Sequence, residues 1–161
     1  MKKMTAPLVL ATSALGLGHG AAAQSSVAVY GIADLGVEYI GNIAPAPGGK
    51  VTRLISGGQA GSRLGFRGTE DLGAGAKAFF VLESGFAMDT GELLQGGRVF
   101  GRLAHVGLQS GLGAVALGRN RNAIFDVTMP FDPMGYSRYS LLSTDPFVAG
   151  RVDNSVQYFN N

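Results

Sequence analysis

The sequence has 161 residues, of which 46% are hydrophobic, 26 are glycine and none is cysteine. Without cysteine, the chain has no disulfide, no thiolate metal site, no cysteine nucleophile and no lipidated cysteine anchor. Its 13 lysines and arginines against 11 acidic residues become 11 against 11 once Lys2 and Lys3, which lie in a predicted targeting segment, are set aside. The charge balance therefore gives no support to nucleic-acid binding.

Residues 1–23 have the three-part layout of a secretory signal peptide. Two lysines precede an apolar run from Ala6 to Leu17, and small residues before and at Ala23 fit a cleavage site after it. The apolar run is too short for a transmembrane helix, which needs about 20 predominantly apolar residues. We therefore expect export, with residues 24–161 as the mature part.

Hydrophobic residues recur at every second position in several segments of the mature part. This alternation is typical of β-strands with one apolar and one polar face, and no period of 3.6 residues is sustained for three helical turns. Where charges occur, as at Arg63, Arg67, Lys77 and Glu83, they lie at the positions between the apolar ones. We predict strands at about 27–39, 61–69, 76–86, 98–108, 114–119 and 150–159.

Short and long segments alternate between the predicted strands. The short ones, 69–74 and 109–113, are turns that contain glycine, whereas 40–60, 87–97 and 120–149 are long and rich in Gly, Pro, Asp and Asn. Short turns at one end and long loops at the other are typical of a transmembrane antiparallel β-barrel of the bacterial outer membrane. The alternative, a soluble exported β-sandwich, does not accept opposite charges on its inward faces.

Several segments, in order, resemble the general Gram-negative porins, most of all those of β-proteobacteria. They are SSVAVYGIADLGVEY, GSRLGFRGTEDLGAGAKAFFVLESGF, RVFGRLAHVGL, GAVALGRN and RVDNSVQYF, from about Ser25 to Phe159. The resemblance implies an all-β fold, a barrel of about 16 antiparallel strands. It also implies a homotrimer in outer-membrane lipid that passes small hydrophilic solutes and ions by diffusion, without a cofactor and without enzymatic activity.

The resemblance further implies a constriction. In such porins a long third external loop folds into the barrel and narrows it, and here that loop is about 120–149. Its acidic candidates are Asp126, Asp132 and Asp145, and the basic wall opposite is assigned to Arg63, Arg102 and Arg151, with Arg67 as a further candidate. A transverse field between such groups orients polar solutes and biases ion flow. Three basic groups against three acidic ones give no strong bias by count. Arginines stay fully ionised, whereas carboxylates crowded on a folded loop can be partly protonated, so we expect a weak preference for anions.

His105 is the only histidine beyond the predicted signal peptide. Counting outward from Arg102, we expect it on the lipid-facing side of its strand. Without a second histidine, neither a metal site nor a Ser/His/Asp set can be assembled around it.

The predicted strands are too few to close such a barrel. Six strands in 138 residues (161 less 23) fall short of the roughly 300 residues that about 16 strands need. We therefore expect the N-terminal part of a porin, with only the first six or so strands.

Two alternatives remain. One is a small complete barrel of about eight strands, a non-conducting anchor or adhesin with two more strands inside 120–149, against which the prolines there argue. The other is a barrel enzyme, for which we find no nucleophile and base.

Overall fold

The computed structural model describes residues 26–43 and 48–160. The predicted signal peptide, residues 1–23, lies outside the described residues. The strands are β1 (Ser26–Ile32), β2 (Leu35–Ile43), β3 (Gly49–Ser56), β4 (Arg63–Gly73), β5 (Ala76–Gly85), β6 (Leu103–Ser110), β7 (Gly113–Arg121) and β8 (Arg151–Phe159). Among the described residues, no helix is both long and apolar enough to cross a membrane.

The strands form two antiparallel sheets. One has six strands in the order β1-β4-β5-β6-β7-β8, and the other is the separate hairpin of β2 and β3. The turn from β4 to β5 has positive φ at both of its residues, Ala74 and Gly75, which suits a two-residue hairpin loop. The turn from β6 to β7 is equally short, at residues 111–112. Short turns therefore join these strands as predicted, but β4 continues to Gly73 through most of the predicted turn at 69–74.

The larger sheet has one apolar face and one polar face. A single row of cross-strand partners runs across all six strands on the apolar face: Val27, Gly68, Phe80, Val106, Leu117 and Val156. The adjacent row, on the polar face, is Ala28, Arg67, Val81, His105, Gly118 and Ser155. On the apolar face Val27 is 68% exposed and Val156 is 70% exposed, so no protein layer covers it in the described part of the chain.

The sheet encloses very little hydrophobic core. Among the described residues, the buried hydrophobic side chains are Ala114, Ala116 and Phe125. A β-sandwich packs the inward faces of two sheets against each other around such a core. The described residues show no such second layer, so the structure does not support the sandwich.

The predicted single strand 27–39 is divided in the structure into β1 and β2, which belong to different sheets. The rest of the hairpin of β2 and β3 lies where the sequence predicted a loop over residues 40–60. That prediction was wrong, because the glycines and prolines of this segment concealed a strand at Gly49–Ser56. The chain breaks its extended course at Ala33 and Asp34, between β1 and β2. The carboxylate of Asp34 then accepts hydrogen bonds from the backbone N–H groups of residues 58–60, at 3.2, 2.9 and 2.7 Å. These bonds fix the base of the hairpin.

The connections on the side of the hairpin are long and partly helical. A short distorted helical turn, α1 (Leu94–Gly97), precedes β6, which begins at Leu103 rather than at the predicted residue 98. Between β7 and β8 lie α2 (Ala123–Thr128), a 3₁₀ turn (Met129–Phe131) and α3 (Leu141–Thr144). We call residues 122–150 the long loop. It contains no strand, so it does not supply the two that the small-barrel alternative requires.

Candidate functional site

A cavity of about 610 Å³ lies between the long loop and the polar face of the larger sheet. We call it the arginine cavity. Its lining residues are Gly57, Gln59, Ala60, Gly61, Arg63, Gln95, Arg102, Arg121, Phe125, Met129, Gly135, Tyr136, Arg138, Ser143, Ala149 and Arg151. Among the described residues, five arginines and no aspartate or glutamate line this space. Its charge is therefore strongly positive.

Three of the arginines come from the sheet. Arg63 is the first residue of β4, Arg151 is the first residue of β8, and Arg102 immediately precedes β6. All three lie at the end of the sheet over which the long loop folds, so their guanidinium groups reach one space. The structure thus brings together Arg63, Arg102 and Arg151, the three residues assigned to the basic wall.

Arg102 is held by a buried carboxylate. Its Nε donates to Oε1 of Glu83 at 2.6 Å, and the hydroxyl of Tyr30 donates to Oε2 of the same side chain at 2.9 Å. The Glu83 side chain is only 8% exposed. The ring of Tyr30 lies across Gly65, where an added Cβ would stand 2.4 Å from the ring. Glycine at 65 therefore gives the ring room to aim its hydroxyl at Glu83.

Arg67 lies apart from the cavity. It shares the polar face of β4 with Arg63, but it is not among the described residues that line the arginine cavity. Its guanidinium carbon is 5.4 Å from the centroid of the Tyr30 ring, a cation–π distance. The structure therefore separates this candidate from the other three.

The three aspartates of the long loop also lie outside the cavity lining. Asp132 accepts from Ser140 Oγ at 2.6 Å and from the backbone N–H groups of Met134 and Tyr136 at 3.0 and 2.6 Å. These bonds lower the pKa of Asp132 below its ordinary value, the bond from the Ser140 hydroxyl being the largest cause. Its carboxylate therefore fixes the fold of the loop.

The other two aspartates also bind within the loop or at its base. Asp145 Oδ1 accepts from the N–H of Phe147 at 2.7 Å, which stabilises the turn after α3. Asp126 forms an ion pair with Arg121 at 3.1 Å. Asp126 thus neutralises the charge of Arg121, although Asp126 itself does not line the cavity. Among the described residues, Asp145 forms no ion pair with an arginine.

The loop itself contributes basic and aromatic groups that the sequence did not single out. Arg138 and Tyr136 line the cavity from the loop side, and Arg121 does so from the end of β7. The Arg121 guanidinium carbon also lies 5.0 Å from the Phe125 ring centroid. Arg138 stands in an irregular segment without periodicity, so no pattern in the sequence marks the direction of its side chain.

His105 lies on the polar face, and its predicted position on the apolar face was wrong. It is the cross-strand partner of Val81, and its ring makes an edge contact with Phe79 at 6.0 Å between centroids. The prediction counted outward from Arg102, but Arg102 stands before β6 at a bend, where strand alternation does not apply. Among the described residues, no group of three or more His, Cys, Asp or Glu could hold a metal ion.

Comparison with known proteins identifies the family. The family model described as Gram-negative porin matches residues 10–161. The chain belongs to the Gram-negative porin family. The six-stranded sheet is accordingly part of a transmembrane antiparallel β-barrel of the bacterial outer membrane, with its apolar face toward lipid and its polar face toward the lumen.

Related porins cover most of this chain. An outer membrane porin protein of Bordetella pertussis is 39% identical over an alignment of 170 residues, and the alignment covers 96% of this chain and 44% of the relative. Outer membrane porin protein 32 of Delftia acidovorans is 41% identical over 112 residues, covering 70% of this chain and 31% of the relative. The chain thus spans less than half the length of these relatives.

A solved structure supports the same fold. The anion-selective porin from Comamonas acidovorans matches with a TM-score of 0.73 and 31% sequence identity. The match covers 86% of this chain and 43% of that porin. The described part of the chain therefore has the fold of part of that porin.

Proposed function

We propose that this chain forms the constriction-bearing wall of a water-filled channel that passes small hydrophilic solutes and ions, with a preference for anions. The observation that carries the proposal is the arginine cavity, which five arginines and no carboxylate line among the described residues. Porin family membership itself indicates a channel protein rather than an enzyme.

The charges around the cavity support anion preference more strongly than the sequence did. Arg102 is paired with Glu83 and Arg121 with Asp126. The remaining three, Arg63, Arg138 and Arg151, take part in no ion pair among the described residues. A ring of unpaired positive charge lowers the barrier for anions and raises it for cations. The similar porin from Comamonas acidovorans, described as anion-selective, agrees with this reading.

We propose Arg63, Arg102, Arg121, Arg138 and Arg151 as the selectivity residues, and the long loop as the element that narrows the lumen. In this arrangement Asp132 and Asp145 shape the loop instead of forming an acidic wall. The assembly we propose is the homotrimer that the resemblance implies, after removal of a signal peptide at residues 1–23.

Liposome swelling tests the channel proposal. The complete gene product, purified from outer membranes and reconstituted, should admit small sugars and admit a small carboxylate faster than an amine cation of equal size. Empty liposomes and a preparation heated in detergent are the controls. Liposomes that stay impermeable to all three solutes would contradict the channel function and favour an anchor.

A further inference from the structure

The hairpin of β2 and β3 lies outside the larger sheet, yet it contacts the long loop directly. The backbone N–H of Arg138 donates to the carbonyl of Gly58 at 3.1 Å, and Nη1 of Arg138 donates to the carbonyl of Ser56 at 3.3 Å. Ser56 is the last residue of β3, and Gly58 follows it. Arg138, which lines the arginine cavity, is therefore tied at two atoms to the base of the hairpin.

A second contact lies farther along the hairpin. The hydroxyl of Tyr139 donates to Oε1 of Glu38, in the middle of β2. The other oxygen of Glu38 accepts from Nε of Arg53, its cross-strand partner on β3, at 2.7 Å. The Glu38 side chain is only 9% exposed, so water competes weakly for this carboxylate. Two neighbouring loop residues thus bind two separate points of the hairpin.

The base of the hairpin is itself rigidly held. Asp34 accepts from three consecutive backbone N–H groups, those of Gly58, Gln59 and Ala60. Ser62 Oγ accepts from the N–H of Asp34 at 3.0 Å and is 1% exposed as a residue. The carbonyl that binds Arg138 therefore belongs to a segment with its own dense hydrogen bonding.

We infer that the β2–β3 hairpin positions the long loop, and that Glu38 is a positioning residue for the constriction although it does not line it. Glu38 holds Tyr139, and the adjacent Arg138 lines the cavity while its Nη1 donates to the carbonyl of Ser56. Releasing Glu38 from Tyr139 frees the loop to move its arginine relative to those of the wall. This inference rests on the proposed channel function.

Single-channel recording on the complete gene product in planar bilayers tests the inference. Tyr139→Phe removes one hydroxyl and should raise the time spent at altered conductance levels about tenfold, the effect of losing a hydrogen bond to a charged acceptor. Glu38→Ala removes this contact together with the pair to Arg53, so it should raise that time at least as much. Adding Tyr139→Phe to Glu38→Ala should add nothing, since the hydroxyl then has no acceptor on Glu38 to lose. The matched control is Tyr39→Phe, which removes a hydroxyl from β2, the strand that contains Glu38.

The outcomes separate the two claims. Equal records for Tyr139→Phe and Tyr39→Phe, with regular conductance steps in both, would overturn the inference and leave the channel intact. Absence of steps in the unmodified protein would overturn the proposed function and the inference with it. A strictly additive double variant would also overturn the inference, because Glu38 would then act elsewhere than through Tyr139.

A second measurement does not depend on conduction. The 161 residues contain no cysteine, so a pair introduced as Gly58→Cys and Arg138→Cys can be followed without background. The backbone N–H of residue 138 lies 3.1 Å from the carbonyl oxygen of residue 58, so the two positions are neighbours that a short bifunctional thiol reagent can bridge. Treatment of intact membranes with the reagent should join them, whereas Tyr39→Cys with Arg138→Cys should stay unjoined. Failure of the first pair to join would overturn the inference.

Discussion

Arg102 and Glu83 form an ion pair of 2.6 Å at the edge of the arginine cavity, with both side chains at most 15% exposed. Glu83 also accepts from Tyr30, so one carboxylate fixes a cation of the wall and an aromatic ring beside it. Shielding from water strengthens this pair relative to one on an open surface. Glu83 is thus the acidic group closest in contact to the wall arginines among the described residues.

Replacing Glu83 by glutamine should increase anion preference. The substitution keeps the shape of the side chain but removes the negative charge that offsets Arg102, so the cavity becomes more positive. Reversal potential in a KCl gradient is the measurement, and Glu70→Gln, at an exposed position of β4, is the matched control. A shift toward potassium, or equal shifts in both variants, would show that Glu83 does not offset the wall charge.

Replacing Arg63 and Arg102 together by glutamine should shift the reversal potential toward cations and enlarge the conductance. Both guanidinium groups line the cavity. Loss of Arg102 leaves the buried Glu83 without its ion-pair partner, so folding of the variant is checked on a detergent gel before recording. The matched control removes two charges from exposed polar-face positions, as Arg67→Gln with Lys77→Gln. If the control changed the reversal potential as much as the test pair, selectivity would depend on the total charge of the lumen wall and not on the charges at the constriction.

Acid should loosen the long loop through Asp132. Because the pKa of Asp132 is lowered in the folded loop, its ionised carboxylate stabilises the loop at pH values above 3.8, the ordinary pKa. This stabilisation is lost as the pH falls through the lower pKa of the folded state. Open-channel noise should therefore stay constant from neutral pH down to about pH 4 and rise below it. Asp132→Asn should be noisy already at neutral pH.

The matched control for this pH dependence is Asp126→Asn. Asp126 accepts from a single arginine and lies in the same loop, so its loss should leave the acid transition in place. An unchanged acid transition in Asp132→Asn would assign the effect to another group.

Gly107→Ala should destabilise the barrel wall. A Cβ at position 107 would stand 2.2 Å from Phe79 Cζ and 2.4 Å from the carbonyl oxygen of Val115, so the ring or the backbone must move. Overpacking of this kind costs about 1–3 kcal/mol. The measurement is the temperature at which the folded band disappears on a detergent gel. Gly111→Ala, where nothing lies within 4 Å, should leave that temperature unchanged.

Strand alternation predicted the sheet and its faces well where a strand runs without interruption. Arg63 and Glu83 both lie on the polar face as expected, although Phe79 and Val81 share that face with Glu83. It failed at Arg102 and His105, because a bend separates them. It also missed β3, which is flanked by glycines and pairs only with β2, while the segment after it is held by the distant Asp34.

The candidate site was predictable only in part, for a physical reason. Arg63 and Arg151 begin strands, where alternation determines the face on which a side chain lies, whereas Arg102 lies at a bend before β6. Loop residues take their direction from hydrogen bonds that the sequence does not show, as when Asp132 turns to Ser140 and Arg138 to Gly58. The resemblance to porins predicted the position of the long loop, but only the structure shows that the loop lines the cavity with an arginine and with no carboxylate among the described residues.

The most direct test of the central claim is the reversal potential of the complete gene product in a planar bilayer under a KCl gradient. Selection by the arginine cavity predicts a sign that marks chloride as the preferred ion, with a magnitude that falls as salt screens the guanidinium charges. Potassium preference, or a potential that stays the same when Arg63, Arg102 and Arg151 are all replaced by glutamine, would contradict it.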